Sequence, residues 1–149
     1  MHNMYTNIFW SIQMSINVFP KKIMILGSGE LGKEIAIAAK RLGCYVIACD
    51  RYNNAPAMQV ADQLEVLNMN DDIALRKVIN NCMPNIIIPE IEAIAVDVLK
   101  EVEKNITVIP NARATSITMN RDKIRDLASN ELHIRTARFA YARNQSELE

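Results

Sequence analysis

Glu30 is the carboxylate whose position says most about chemistry. It stands inside Gly27-Ser28-Gly29-Glu30-Leu31-Gly32, a G-x-G-x-x-G run directly after the apolar Ile23-Met24-Ile25-Leu26. Such a run turns a strand into a helix. Its first glycine allows the tight turn, its second, Gly29, lets a ligand approach the backbone, and its third packs helix against strand. The free N–H groups at that helix start attract anions, so the pyrophosphate of a dinucleotide would rest there. A carboxylate in the same place repels phosphate and takes a donor instead: a ribose hydroxyl, an amide or an ammonium. On the motif alone, Glu30 as a first-turn acid that stabilises its own helix is an equal reading.

Glu90 is the second candidate. Pro89 cannot donate to a sheet, so a strand ends there and leaves Glu90 at the rim, before a strongly amphipathic segment. Its plain structural role would be a helix N-terminal acid, which Glu92 fits as well. No nucleophile motif adjoins Glu30 or Glu90. They therefore read as a donor-seeking binding pair rather than a hydrolytic acid and base. Asp50, eighteen residues after Gly32, stands where a nicotinamide-cofactor protein keeps the acid for the ribose 2′-OH. Arg51 beside it could pair with Asp50 or meet a phosphate, and an Asp at a strand-to-loop corner is often a turn cap. Asp50 is the basis of a rival reading as a stand-alone NAD(P)-binding module.

These residues need a frame that brings them together. Apolar runs at Ile23–Leu26, Tyr45–Cys49, Leu64–Leu67, Asn85–Ile88 and Ile106–Ile109 recur about every twenty residues, the length of a strand plus a crossover helix. They are continuous rather than alternating, as strands covered on both faces are. Leu31, Ile35, Ala38 and Leu42 make one helical stripe, which Gly43 stops. Leu75, Val78, Ile79 and Cys82 make another, with Asp71 and Asp72 at its start. Ile91, Ile94, Ala95, Val98, Leu99 and Val102 make the clearest stripe. A short helix is expected near Met58–Asp62, and helices over Ala114–Thr118 and Asn120–Asn130, the latter capped by Asn120. Thr136–Tyr141 could begin another strand, and Ser146–Glu149 the first turn of a helix. The pattern is α/β, an open parallel Rossmann-like sheet, which binds ligands off the carboxyl ends of its strands.

Composition narrows the partners. Seventeen basic and seventeen acidic residues cancel, so there is no basic footprint for nucleic acid. Three cysteines, Cys44, Cys49 and Cys82, in apolar settings read as reduced core residues of a cytoplasmic protein. His2 and His133 join no cluster of metal-ligand spacing, so no metal site is expected. Residues 1–20 lack Lys, Arg, Asp and Glu. Ser11, Gln13, Ser15 and Asn17 interrupt their apolar run, which argues against a membrane span or a secretory signal. The alternation over Ile12–Val18 suits an edge strand, and a poorly ordered or upstream-initiated extension suits it equally.

Six runs carry a resemblance: Gly27-Ser28-Gly29-Glu30-Leu31-Gly32-Lys33-Glu34, Asp50-Arg51-Tyr52, Ala55-Pro56-Ala57-Met58, Pro89-Glu90-Ile91-Glu92-Ala93-Ile94-Ala95, Ala112-Arg113-Ala114-Thr115 and Thr118-Met119-Asn120-Arg121. In this order and spacing they resemble the N-terminal part of the formate-dependent phosphoribosylglycinamide formyltransferase family, ATP-grasp enzymes of purine synthesis. The match runs from Ile23 to near Ala140. The resemblance implies a pre-ATP-grasp domain over residues 21–119. An extension covers 1–20, and the truncated start of an ATP-grasp module covers 120–149. In the family, ATP phosphorylates formate to formyl phosphate, and the amine of glycinamide ribonucleotide attacks that acyl phosphate and releases phosphate.

Carried residue by residue, the resemblance assigns Gly29, Glu30, Leu31 and Glu90 to glycinamide ribonucleotide and Arg121 to ATP. ATP and Mg²⁺ are the cofactors implied, with glycinamide ribonucleotide, formate and ATP as partners and a homodimer left open. The rest of the ATP-grasp module, with its Mg²⁺ ligands, is absent from the sequence. Phosphoryl transfer depends on such positioning and cationic groups, so no transformylase activity is expected from this polypeptide alone. A split subunit, a frameshifted product and a gene remnant all fit that absence.

Overall fold

The computed structural model describes residues 20–148; the readings of the extension before Pro20 fall outside the described residues. The chain runs β1 (Lys22–Leu26), α1 (Glu30–Arg41), β2 (Tyr45–Asp50), a 3-10 turn (Pro56–Gln59), β3 (Gln63–Val66) and α2 (Asp72–Cys82). It continues through β4 (Ile86–Pro89), α3 (Val96–Val102), β5 (Thr107–Val108), α4 (Ala112–Thr118), α5 (Arg121–Asp126), a π-helical turn (Leu127–Glu131) and α6 (Gln145–Leu148). The strands form one five-stranded sheet in the order β3-β2-β1-β4-β5, and every pairing is parallel.

The continuous apolar runs of β1 and β2 have a direct cause. Successive side chains of a strand point to opposite faces, and here both faces are covered. Met24, Leu26, Ile47 and Cys49 enter one core with Leu75 and Ile79 of α2 and Val98 and Leu99 of α3. Ile23, Ile25, Val46 and Ala48 enter the other with Ala36 and Ala39 of α1 and Ala57 and Met58 of the 3-10 turn. β3 departs from the expected pattern. Leu64 and Val66 are exposed on this edge strand, so one face of β3 is left uncovered.

Four further elements come out differently. The stripe from Ile91 to Val102 is helical only from Val96. The expected helix near Met58–Asp62 is a 3-10 turn shifted to Pro56–Gln59, and Thr136–Tyr141 forms no strand. Asn120 does cap α5: its side chain accepts from the Asp122 and Lys123 N–H groups at 3.0 and 3.2 Å. That helix stops at Asp126 and gives way to the π-helical turn rather than running on to Asn130.

The chain moves outward from β1 through β2 to β3, then returns to place β4 on the other side of β1. The carboxyl ends of β1 and β4 therefore flank the point where the winding reverses, the crevice in which open parallel sheets take ligands.

Candidate functional site

Gly27 leaves β1 with φ +118°, a left-handed conformation that side chains disfavour. Its N–H donates to the Cys49 carbonyl at 3.0 Å, carrying the ladder one residue past the strand. Ser28 is fully buried, and its hydroxyl donates to the same carbonyl at 2.9 Å. The Ser28 carbonyl accepts from Ala57 N–H at 2.9 Å, pinning the 3-10 turn beneath the loop. Gly32 then sits where an added Cβ would lie 2.4 Å from the Gly27 carbonyl oxygen, so α1 approaches the end of β1 more closely than alanine permits.

Glu90 reaches this loop from β4. Its N–H and that of Ile91 both donate to the Leu26 carbonyl, at 2.8 and 3.2 Å. This folds the exit of β4 over the end of β1. The carboxylate lies over Gly27, where an added Cβ would come within 2.3 Å of Glu90 Oε2. That oxygen is buried and has no hydrogen-bond partner among the described residues. Burial, and then the negative charge of Asp50, push the Glu90 carboxyl above its ordinary pKa. An acceptor held out of water without a donor is costly unless something supplies one.

A cleft of about 500 Å³ opens here, lined by Gly29, Asp50, Arg51, Tyr52, Glu90, Ile91, Glu92 and Ala93. At Gly29 an added Cβ would meet nothing within 4 Å, so the backbone of the loop is open to a ligand. Asp50 is buried, and both its oxygens are engaged by backbone: Oδ2 by Ser28 N–H at 2.8 Å and Oδ1 by Arg51 N–H at 2.7 Å.

Of the residues singled out from sequence, Gly29, Asp50, Arg51, Glu90 and Glu92 share the cleft wall. Glu30 is the first residue of α1 and is exposed, as is Leu31, which is 61% accessible. Both follow Gly29 directly but stand outside the lining. Arg121 is the exposed first residue of α5 and lines neither this cleft nor the apolar groove beside α4. Neither Glu90 nor Glu92 is a helix N-terminal acid. The helix starts at Val96, with Asp97 in its first turn, so both acids are left to the cleft. Ser28 escaped the sequence reading; its only signal was a hydroxyl between two loop glycines, and nothing local says that it faces inward.

The wall of this cleft is not built for the phosphates of ATP. The cleft wall sets Asp50, Glu90 and Glu92 against the single cation Arg51, and no group of three or more His, Cys, Asp or Glu that could hold a metal occurs among the described residues. Cys49, whose thiol burial pushes up, stays protonated and inert in the core.

A doubly covered parallel sheet with a glycine loop and an acid-walled cleft at its reversal point defines a Rossmann-like α/β domain. The family model described as the ribonucleotide synthetase pre-ATP-grasp domain matches residues 20–119, and the chain belongs to that family. It is 78% identical over 134 residues to the formate-dependent phosphoribosylglycinamide formyltransferase of Prochlorococcus marinus strain NATL2A, covering 90% of this chain and 35% of that protein. The corresponding protein of Synechococcus sp. strain CC9311 is 66% identical over 88% of this chain and 34% of its own. Among solved structures, a glycinamide transformylase T from Mycobacterium tuberculosis superposes with TM-score 0.79 at 40% identity, covering 86% of this chain and 37% of that one. An ADP complex of N5-carboxyaminoimidazole ribonucleotide synthetase gives TM-score 0.76 at 29% identity over 88% and 34%. The chain thus spans about a third of the length of the curated relatives it matches. No helix among the described residues is long and apolar enough to cross a membrane.

Proposed function

We propose that this chain is the glycinamide-ribonucleotide-binding portion of a formate-dependent phosphoribosylglycinamide formyltransferase of cytoplasmic purine synthesis. The observation that carries the reading is Glu90 Oε2, a buried acceptor with no partner, beside the open backbone of Gly29. A sugar hydroxyl or an amine supplies the missing donor, and a charged one gains most from the neighbouring carboxylates. Glu30 and Leu31, at the first turn of α1, extend the contact past Gly29. Identity to relatives named for that activity supports the same assignment.

Residues 21–119 are the substrate-binding unit, and 120–149 begin the module that carries ATP chemistry. Arg121 stands at the helix start beside the Asn120 cap, exposed and free to contact the phosphates of ATP. In the whole enzyme, ATP and Mg²⁺ would activate formate. The residues here bind and orient the substrate amine and do not form formyl phosphate.

Isothermal titration with glycinamide ribonucleotide and with NAD tests the reading. Heat with the ribonucleotide, lost in Glu90→Ala, and none with NAD is the expected result. Tight NAD binding without a ribonucleotide response would overturn it in favour of a stand-alone dinucleotide module.

A further inference from the structure

In a dinucleotide site of this topology, the N–H groups of the glycine loop receive phosphate and the acid at the end of the second strand receives ribose. Here those two functions have collapsed onto each other. The Ser28 N–H donates at 2.8 Å to Asp50 Oδ2 instead of facing the cleft, while Asp50 Oδ1 accepts from Arg51 N–H at 2.7 Å. Ser28 is fully buried and Asp50 is 6% accessible, yet Asp50 belongs to the cleft wall. Its carboxylate is therefore a built-in anion between the cleft and the loop amide. Glu90 lies over the same loop from the other side, and Glu30 occupies the first helical position.

We propose that Asp50 is the specificity-determining residue of this cleft: by occupying the Ser28 amide it shuts phosphate out of the glycine loop. A ribonucleotide must then enter with its sugar or amine toward Gly29 and its phosphate turned away. The inference rests on and deepens the function proposed above, and it predicts that this G-x-G-x-x-G loop takes no dinucleotide. Removing the Asp50 side chain opens a path from the cleft to the Ser28 amide and removes a negative charge beside it, so it creates anion binding where the parent has none. A purely structural Asp50 would give loss of stability and no gain.

The test is an amide NMR titration of the full chain with inorganic phosphate and, separately, with NADH. The parent should show no phosphate-dependent shift at Ser28 or Gly29. Asp50→Ala should bind phosphate at those amides at least about tenfold more tightly, the scale of one charge-assisted hydrogen bond. Shifts at Ser28 in the parent, or a folded Asp50→Ala with no gain, would overturn the proposal. Should the alanine variant lose its dispersed spectrum, Asp50→Asn carries the test. It keeps one acceptor but loses the charge, and a smaller gain at Ser28 supports the proposal while none overturns it. The probes contain no glycinamide ribonucleotide, so this outcome is independent of whether that ligand binds.

Discussion

At the scale of single residues, the site carries a stability cost at Glu90. The folded state raises this carboxyl, through burial first and Asp50 second, whereas the unfolded chain ionises it at the ordinary glutamate value. A raised folded pKa contributes stability fully present below the unfolded pKa and lost as pH rises through the folded one. At neutral pH, above the unfolded value, the unpartnered group therefore weakens the fold. Glu90→Gln should raise the Tm near neutrality, with the gain shrinking as pH falls below the normal carboxyl range. The same variant should weaken ribonucleotide binding tenfold or more, on the order of a lost hydrogen bond to a charged group. Thermal melts at two pH values and one titration check both halves; a lower Tm at neutral pH would contradict the electrostatic account. Gly32→Ala makes the opposite kind of test. Its methyl would meet the Gly27 carbonyl at 2.4 Å, and a destabilisation of about 1–3 kcal/mol is expected in urea melts from overpacking.

At the scale of elements, the segment before α3 shows how tertiary bonds override a periodic pattern. Ile91 and Ile94 fit a helical stripe, and Ile94 is indeed buried. Yet Ile91 N–H donates to Leu26 and Ala95 N–H to Met69, at 3.2 and 2.8 Å. Those two bonds hold 91–95 in a loop, which is what frees Glu90 and Glu92 to face the cleft. By contrast α2 follows its local signals: Asp71 caps it, accepting from Ile73 and Ala74 N–H at 2.9 and 3.0 Å. Asp71→Ala should cost about 1 kcal/mol. Leu99→Ala, which empties a fully buried position of α3, should cost about 2–5 kcal/mol. Chemical denaturation of the two variants measures the contrast, and a larger loss at the cap than at Leu99 would refute this ordering.

At the scale of the molecule, burial is unevenly distributed. β1, β2, α2 and α3 supply most of the large fully buried side chains, whereas no residue from 120 to 148 is buried. Few buried contacts mean low local opening free energy. Amides of Met24, Ile25, Ile47 and Ala48 should exchange slowest and those of α5 and α6 within the earliest time points, read by hydrogen exchange. Slow exchange across α5 in the isolated chain would show a stabilising contact that burial does not reveal.

The parallel sheet, the glycine loop, the α5 cap and the placing of Glu90 at a strand end are all legible along the chain. Each follows from local rules of periodicity, turn chemistry or the missing proline N–H. Which acids share a wall emerges only once the strands have packed. Side chains 40 residues apart in sequence meet because β4 returns beside β1, and no local pattern encodes that Asp50 turns back to Ser28 while Glu30, inside the motif itself, faces solvent. Packing and backbone hydrogen bonds across the sheet fix those orientations, so they exist only once the strands are assembled.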